Sequence, residues 1–215
     1  MQLFEPQWWV TLLQELNTWV SSSTQLFNLV SFLADAVVFL FPIFLVILYV
    51  CGITKKQKNM KIHALRIFSS AFFAAVINII FQLFFHKDRP ETVLEGTQRL
   101  ILKHLPTMSF PSDHAAVSMA FAIAILLWIG LYEITKYKKN IMYTGVFFLI
   151  AGIIMSICRV VVGIHRPTDI LAGWVVWVIA AYISIKIIPI SFYNWIISIE
   201  EMILKKMSFL LWKIK

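Results

Sequence analysis

Five apolar runs, each about long enough to cross a bilayer, constrain this chain more than any other feature. A spanning helix needs about 20 consecutive apolar residues, and in lipid every backbone N–H and C=O must be satisfied within the structure itself. The runs cover residues 26–50, interrupted only by Asp35 and Pro42, then 62–85, 115–132, 141–162 and 170–190. Composition points the same way. The chain of 215 residues is 60% hydrophobic and 14% charged, where soluble domains are about 45–50% apolar and about 25% charged. The expected fold is all-α, a polytopic membrane helical bundle with about five transmembrane helices. One domain over residues 1–215 is the economical reading, since there is no internal repeat, low-complexity tract or separate soluble segment.

The two ends read differently. Phe4, Trp8, Leu12, Leu13, Leu16, Trp19 and Val20 share one helical face, and Gln7, Thr11, Gln14, Glu15 and Thr18 share the other. Such a helix suits the membrane interface, so residues 1–24 are expected to lie on the bilayer. Residues 191–215 are amphipathic again: Phe192, Trp195, Ile199, Met202, Ile203, Leu210 and Leu211 group on one face, with Lys205, Lys206 and Lys213 toward headgroups. No positive segment precedes a short apolar run at the start, so no cleaved signal peptide is expected. Cys51 and Cys158 fall at or in apolar runs and form neither a disulfide framework nor a cysteine-rich metal site.

The formal net charge of +8 is explained by topology rather than by nucleic acid. Lys55, Lys56, Lys58, Lys61 and Arg66 cluster between runs one and two, Lys136, Lys138 and Lys139 between three and four, and Lys205, Lys206, Lys213 and Lys215 at the end. With five spans all three groups fall on one side, which the positive-inside bias makes cytoplasmic. The other side then carries Lys87, Arg89, Arg99, Lys103, Arg159 and Arg166 against that bias, and an anionic ligand there would account for them. The expectation is a bacterial plasma membrane protein whose site faces the periplasm or exterior.

That outer side also carries the polar chemistry. Ser109-Phe110-Pro111-Ser112-Asp113-His114 opens an apolar run with N-cap residue types and a proline suited to a first helical turn. A helix N-terminus favours anions through its unpaired N–H groups and its dipole. Arg89 in Lys87-Asp88-Arg89-Pro90 and Arg159 carry planar forks suited to bidentate phosphate binding. Ser112 and the N–H groups of Asp113 and His114 complete a cradle. His165 and Asp169 are four apart, and Pro167 puts Asp169 near the third position of a helix, from where its carboxylate can reach back to the His165 imidazole. Two histidines, one beside a carboxylate and one at a helix start, suit division of nucleophilic and acid work. A metal site built from His114, His165 and a carboxylate is the competing reading; the neighbouring arginines would repel a cation, so no metal and no cofactor are expected.

In order, R-P at Arg89-Pro90, P-S-D-H at Pro111–His114 and R-x5-H-x3-D from Arg159 to Asp169 resemble the three-part signature of the type 2 phosphatidic acid phosphatase superfamily. The resemblance covers roughly residues 78–173. The P-S-D-H form, with Asp113 where many members carry glycine, is similar to the bacterial undecaprenyl-diphosphatase branch. The resemblance implies that His165 is the nucleophile and becomes a phosphohistidine, that Asp169 is its partner and that His114 is the acid; beside it, the residues themselves suggest Arg89, Ser112, Asp113, Arg159 and Lys87 around the phosphate. The resemblance also implies hydrolysis of a polyprenyl diphosphate, recycling the carrier lipid of cell-wall synthesis; the expected partners are the polyprenyl or lipid phosphate substrate and membrane lipids, with no nucleic acid. A phosphatase for phosphatidylglycerol phosphate or lipid A, and a non-catalytic lipid-phosphate binder or transporter, are the alternatives.

Three positions depart from the family pattern. The lysine seven residues before the first arginine is Gln82 here, and Lys87 is a candidate replacement. Asn78 and Gln82, four apart, should face the bundle interior. Cys158 stands where a serine commonly precedes the third-motif arginine. Asp113 sets a carboxylate beside an anion site, which calls for pairing with an arginine or for helix capping. Asp35, the other acid within an apolar run, either meets the site or snorkels to the interface.

Overall fold

The first apolar run folds as helix α2 (Thr24–Asp35), a 3-10 turn (Ala36–Phe39) and helix α3 (Leu40–Thr54) in one continuous stretch. The irregular turn has a local cause: Pro42 has no N–H for the carbonyl four residues back, and its ring crowds that carbonyl. In this computed structural model the described residues are 6–90, 108–131 and 138–214. Around this stretch stand α1 (Gln7–Ser21), α4 (Lys58–Phe84), α5 (Asp113–Leu131), α6 (Lys138–Val161), α7 (Pro167–Tyr182), which runs on into a π-helical turn (Ile183–Ile187), and α8 (Ile190–Ile214). No strand occurs among the described residues. Phe4, Arg99, Lys103, Tyr132, Lys136 and Lys215 lie outside the described residues, as do the side chains of Leu210, Leu211 and Lys213.

Among the described residues, four helical stretches meet the length and hydropathy of a membrane span outright: Thr24–Thr54, Lys58–Phe84, Lys138–Val161 and Pro167–Ile187. The expected third span is helix α5, 19 residues from Asp113 to Leu131, within the length a span needs, and it is the central helix of the bundle. Ala115, Ala116, Ala120, Phe121, Ala122, Ala124 and Ile125 are all buried, and α5 packs against α4, α6 and α7. Its alanines let neighbouring backbones approach closely, as small residues do at helix contacts in membranes. The outer faces of the surrounding helices are apolar and exposed, with Phe32, Val46, Phe68, Ile79, Phe147 and Val175 each more than half accessible. That inversion of the usual pattern suits a chain whose solvent is lipid.

Both terminal helices dock more firmly than simple interfacial helices would. In α1 the buried stripe is Leu13, Asn17 and Val20, while Trp8 and Trp19 are exposed. Asn17 Nδ2 donates to the Val161 carbonyl at 3.1 Å, satisfying a last-turn acceptor of α6 that has no intrahelical donor. In α8, Tyr193 and Ile197 are buried against Ile62. Lys61, one of the lysines expected on the cytoplasmic side, is buried and donates to Glu200 at 2.8 Å and Glu201 at 3.2 Å, while the Tyr49 hydroxyl donates to Glu200 at 2.9 Å.

Candidate active site

The end of α4, the start of α5, the end of α6 and the start of α7 meet at one end of the bundle. Backbone hydrogen bonds knit the segments that follow or precede these helices. Ser109 N–H donates to the Lys87 carbonyl at 2.8 Å, and Ser112 N–H donates to the Asp169 carbonyl at 3.0 Å. All three polar motifs are thereby brought together, although they are separated by long apolar helices. The α6–α7 turn depends on Gly163 at φ 79°, in the left-handed region that favours glycine. There the N–H groups of Ile164 and His165 fold back on the Arg159 carbonyl, at 3.1 and 3.3 Å. Gly173 permits the closest contact: a Cβ there would lie 2.7 Å from the Ser112 carbonyl oxygen and 3.2 Å from Ala116 N.

His165 is buried, and its Nδ1 lies 2.9 Å from the Ser109 carbonyl. A carbonyl only accepts, so Nδ1 carries the proton and Nε2 keeps its lone pair. Burial, reinforced by the charges of Arg159 and Arg89 and opposed by Asp169, pushes the His165 imidazole down from 6.5 to about 4. The ring is neutral at pH 7, as a nitrogen nucleophile must be.

Asp169 is the third residue of α7, as the position of Pro167 predicts. Its contacts differ from the expected carboxylate–imidazole hydrogen bond. Oδ2 stands 3.8 Å from His165 Nδ1, beyond hydrogen-bond length. Oδ2 accepts instead from the Arg166 N–H at 2.8 Å and from the Ser109 hydroxyl, and Oδ1 accepts from Lys87 Nζ at 2.8 Å. The physical reason is the capping geometry, which turns the carboxylate back to its own helix end. Ser109 links the two groups, with its hydroxyl on Asp169 and its carbonyl on His165.

Lys87 is buried, with Nζ on Asp169 and 2.9 Å from the Thr168 hydroxyl. It thus neutralises Asp169, where the sequence suggested a substitute for the missing phosphate lysine. Arg159 is also buried, and its Nη1 donates to Asp35 Oδ1 at 2.7 Å and to the Ala34 carbonyl at 3.1 Å. Asp35 therefore joins the site and does not snorkel. Burying a guanidinium in a bundle interior demands a nearby carboxylate. Cys158 packs with Ala34, Val162 and Ile164 and makes no polar part of the site. Arg89 is half-buried, and its charge reaches both Arg159 and His165.

The α5 end corrects two further expectations. Pro111 precedes the helix, which begins at Asp113; Ser112 is the flanking residue whose carbonyl accepts from Ala116 N–H at 3.0 Å. The buried Ser112 hydroxyl has no hydrogen-bond partner among the described residues. The hydroxyl therefore does not cap the helix and keeps its donor unused. Asp113 pairs with no arginine among the described residues. Its Oδ1 accepts from Asn78 Nδ2 at 2.9 Å and Gln82 Nε2 at 3.1 Å, and the same two amides reach the Pro111 carbonyl at 3.5 and 3.3 Å. The inward polar stripe of α4 is thus present, and its purpose is to hold Asp113. His114, the second residue of α5, is half-buried at the same helix end. Among the described residues no group of three or more His, Cys, Asp or Glu converges as a metal ligand set. Serines and amides whose roles sequence reasoning missed, Ser109 above all, carry the second layer of contacts; a carbonyl contact leaves no mark in residue identity.

The chain is 27% identical over 164 residues to YbjG of Escherichia coli (strain K12), covering 76% of this chain and 74% of that protein. It is 24% identical over 183 residues to BcrC of Bacillus subtilis (strain 168), named an undecaprenyl-diphosphatase, covering 84% and 86%. The crystal structure of Aquifex aeolicus LpxE has the same fold, with a TM-score of 0.58 and 22% identity over 86% of this chain and 99% of that one. Residues 63–193 match the family model of the PAP2 superfamily. That match takes in more than half of the chain and all three motif segments. The chain belongs to the PAP2 superfamily and is a membrane phosphatase.

Proposed function

We propose that the chain hydrolyses undecaprenyl diphosphate to the monophosphate and inorganic phosphate, and that it acts as a single membrane domain in the bacterial plasma membrane with its site outward. The observation that carries the reading is the neutral, buried His165, whose Nδ1 is committed to the Ser109 carbonyl, beside two arginines. The name of the Bacillus subtilis relative supports the choice of lipid. The lysine-rich ends of α3, α4 and α6 opposite the site support the orientation.

His165 Nε2 attacks the terminal phosphorus in line. The bond from that phosphorus to the bridging oxygen breaks, and the lipid monophosphate leaves. Arg89, Arg159, the Ser112 hydroxyl and the first N–H groups of α5 hold the non-bridging oxygens, where electrostatic stabilisation counts most. Asp113 keeps the α5 end in register with α4. His114 supplies a proton when the leaving group needs one. Water then cleaves the N–P bond, releasing phosphate and restoring neutral His165. Lys87 and Asp169 act as a neutral buried pair under the histidine.

The test is phosphate release by purified protein on a panel of polyprenyl diphosphate, phosphatidylglycerol phosphate, lipid A and phosphatidic acid. Turnover is expected to be highest on the polyprenyl diphosphate, and terminally labelled substrate should leave label on wild-type protein but not on His165→Ala. A His165→Ala variant that retains most turnover refutes the nucleophile. Preference for another lipid refutes the substrate and leaves the chemistry standing.

A further inference from the structure

A cavity of about 580 Å³ opens at the opposite end of the bundle from the site. It lies between the last turns of α3, the first turns of α4 and α6, and the second half of α5. Its floor is apolar: Phe44, Leu48, Met60, Ile125 and Ile141 line it, and all five belong to or pack against the central aromatic cluster around Phe41, Phe121 and Phe148. Its rim is polar and cationic, with Lys55, Lys58, Gln57, Asn59, Asn140 and Thr144. The α3–α4 turn that carries both lysines is tightly fixed. Lys56 sits at φ 53°, a conformation uncommon for a lysine, and Gln57 N–H donates back to the Gly52 carbonyl at 2.9 Å. The Gln57 side chain makes no cap on α4. Lys55 and Lys58 make no ion pair among the described residues, unlike the neighbouring Lys61, which Glu200 and Glu201 neutralise.

The volume falls in the range of small-ligand sites, about 300–1,000 Å³. An apolar floor under a rim of two cations and several amide or hydroxyl groups is complementary to one class of molecule in a bilayer: a lipid with an anionic headgroup and acyl chains. We propose that this cavity is a binding site for an anionic phospholipid of the membrane surface opposite the active site. The phosphate sits between Lys55 and Lys58, the ester oxygens of the glycerol backbone face Asn59, Asn140 and Thr144, and an acyl chain enters over Phe44 and Ile141. No residue of the site overlaps the phosphatase machinery. The lipid is a bound ligand, not a substrate.

The experiment uses the full chain in detergent, titrated with phosphatidylglycerol and separately with phosphatidylcholine, and read by native mass spectrometry. Phosphatidylglycerol is expected to bind at a single tight site and phosphatidylcholine weakly. Lys55→Gln with Lys58→Gln should weaken phosphatidylglycerol binding by about 5-fold for each lysine and about 25-fold together, and leave phosphatidylcholine unchanged. Both side chains are exposed, so folding should survive; unaltered hydrolysis of a lipid phosphate in the same detergent checks it and separates this proposal from the catalytic one. Thr144→Trp, which fills the cavity, should abolish the tight site even in a chain with both lysines. Equal affinity for the two lipids, or full phosphatidylglycerol affinity in the double lysine variant, overturns the proposal.

Discussion

Removing Asp35 should unfold this protein more readily than removing any exposed acid, although Asp35 lies outside all three motifs. It is buried against the fully buried Arg159, with Nη1 and Oδ1 2.7 Å apart. At an effective dielectric of about 20, that separation corresponds to an attraction of about 6 kcal/mol. Taking two ions out of water costs several kcal/mol each, so the intact pair contributes little net. Deleting one partner is different, because the other keeps its full desolvation cost. Asp35→Ala should therefore destabilise by about 3–5 kcal/mol, or lower the melting temperature in detergent by about 6–20 °C. Asp35→Asn keeps an acceptor for Nη1 and should cost less. Asp35→Leu combined with Arg159→Met replaces the pair by apolar groups of similar volume and should recover most of the stability with no turnover. Thermal melts of the four proteins, with phosphate release alongside, decide the matter. An Asp35→Ala variant within 1 kcal/mol of wild type, on the scale of an exposed ion pair, refutes the assignment of Asp35 as the counter-ion of a buried guanidinium.

The other predictions rest on separate contacts. Because His165 is held near 4, its neutral form persists well below 6.5, so the His165 contribution to the acid limb of kcat/KM should fall near pH 4 and move upward in Arg89→Gln; an NMR titration of labelled imidazole checks both. The same depression means that His165 supports folding above about pH 6.5 and that this support is lost as pH falls toward 4, which acid melts of wild type against His165→Phe should register. Gly173→Ala should cost about 1–3 kcal/mol and lower turnover, since its Cβ would meet the Ser112 backbone oxygen at 2.7 Å, an atom that cannot swing aside. His114→Ala should slow a lipid monophosphate by about 10²–10⁴-fold and a lipid diphosphate far less in single-turnover assays. The diphosphate expels a phosphomonoester with a second pKa of about 6, while the monophosphate expels an alkoxide whose alcohol is about as weak an acid as water, pKa about 15.7.

The helices were legible because each apolar run is long, and their limits follow from Pro42, Gly163 and Pro167 by ordinary backbone rules. Arg89, His165 and Asp169 were legible as a set because their spacing sits at helix ends. Their pairing was not. Asp169 within reach of His165 also lies within reach of the Arg166 N–H, Lys87 and Ser109, and only the packed geometry decides among them. Asp35 could not be assigned from spacing, because it is brought to Arg159 by the packing of α2 on α6, a contact between residues far apart in the chain. The burial of Lys61 was hidden for a related reason: charge counting along the chain assigns a lysine to one side of the membrane without saying what covers it, and α8 folds back over this one.

Two departures from the family pattern turn out to be one. Gln82 occupies the usual lysine position and Asp113 the usual glycine position, and in space they touch, with Gln82 Nε2 donating to Asp113 Oδ1 at 3.1 Å. A lysine at 82 would face no carboxylate if 113 were glycine and would be available to a phosphate. A carboxylate at 113 would capture such a lysine. The pair found here avoids that capture: the amides of Gln82 and Asn78 satisfy Asp113 without adding charge, and Asp113 leads α5 where its charge complements the helix dipole. Relative to the family pattern the region gives up one cation and gains one anion. Lys87 does not restore the balance, since its ammonium is matched by Asp169, and Arg159 is matched by Asp35. In the proposed mechanism the attraction for phosphate then rests on Arg89 and Arg159 with the α5 N–H groups and the Ser112 hydroxyl, without the usual lysine. A weaker field around the ground-state phosphate suits a substrate with a good leaving group, because the diphosphate departs as a phosphomonoester and asks less of the site than a lipid alkoxide would.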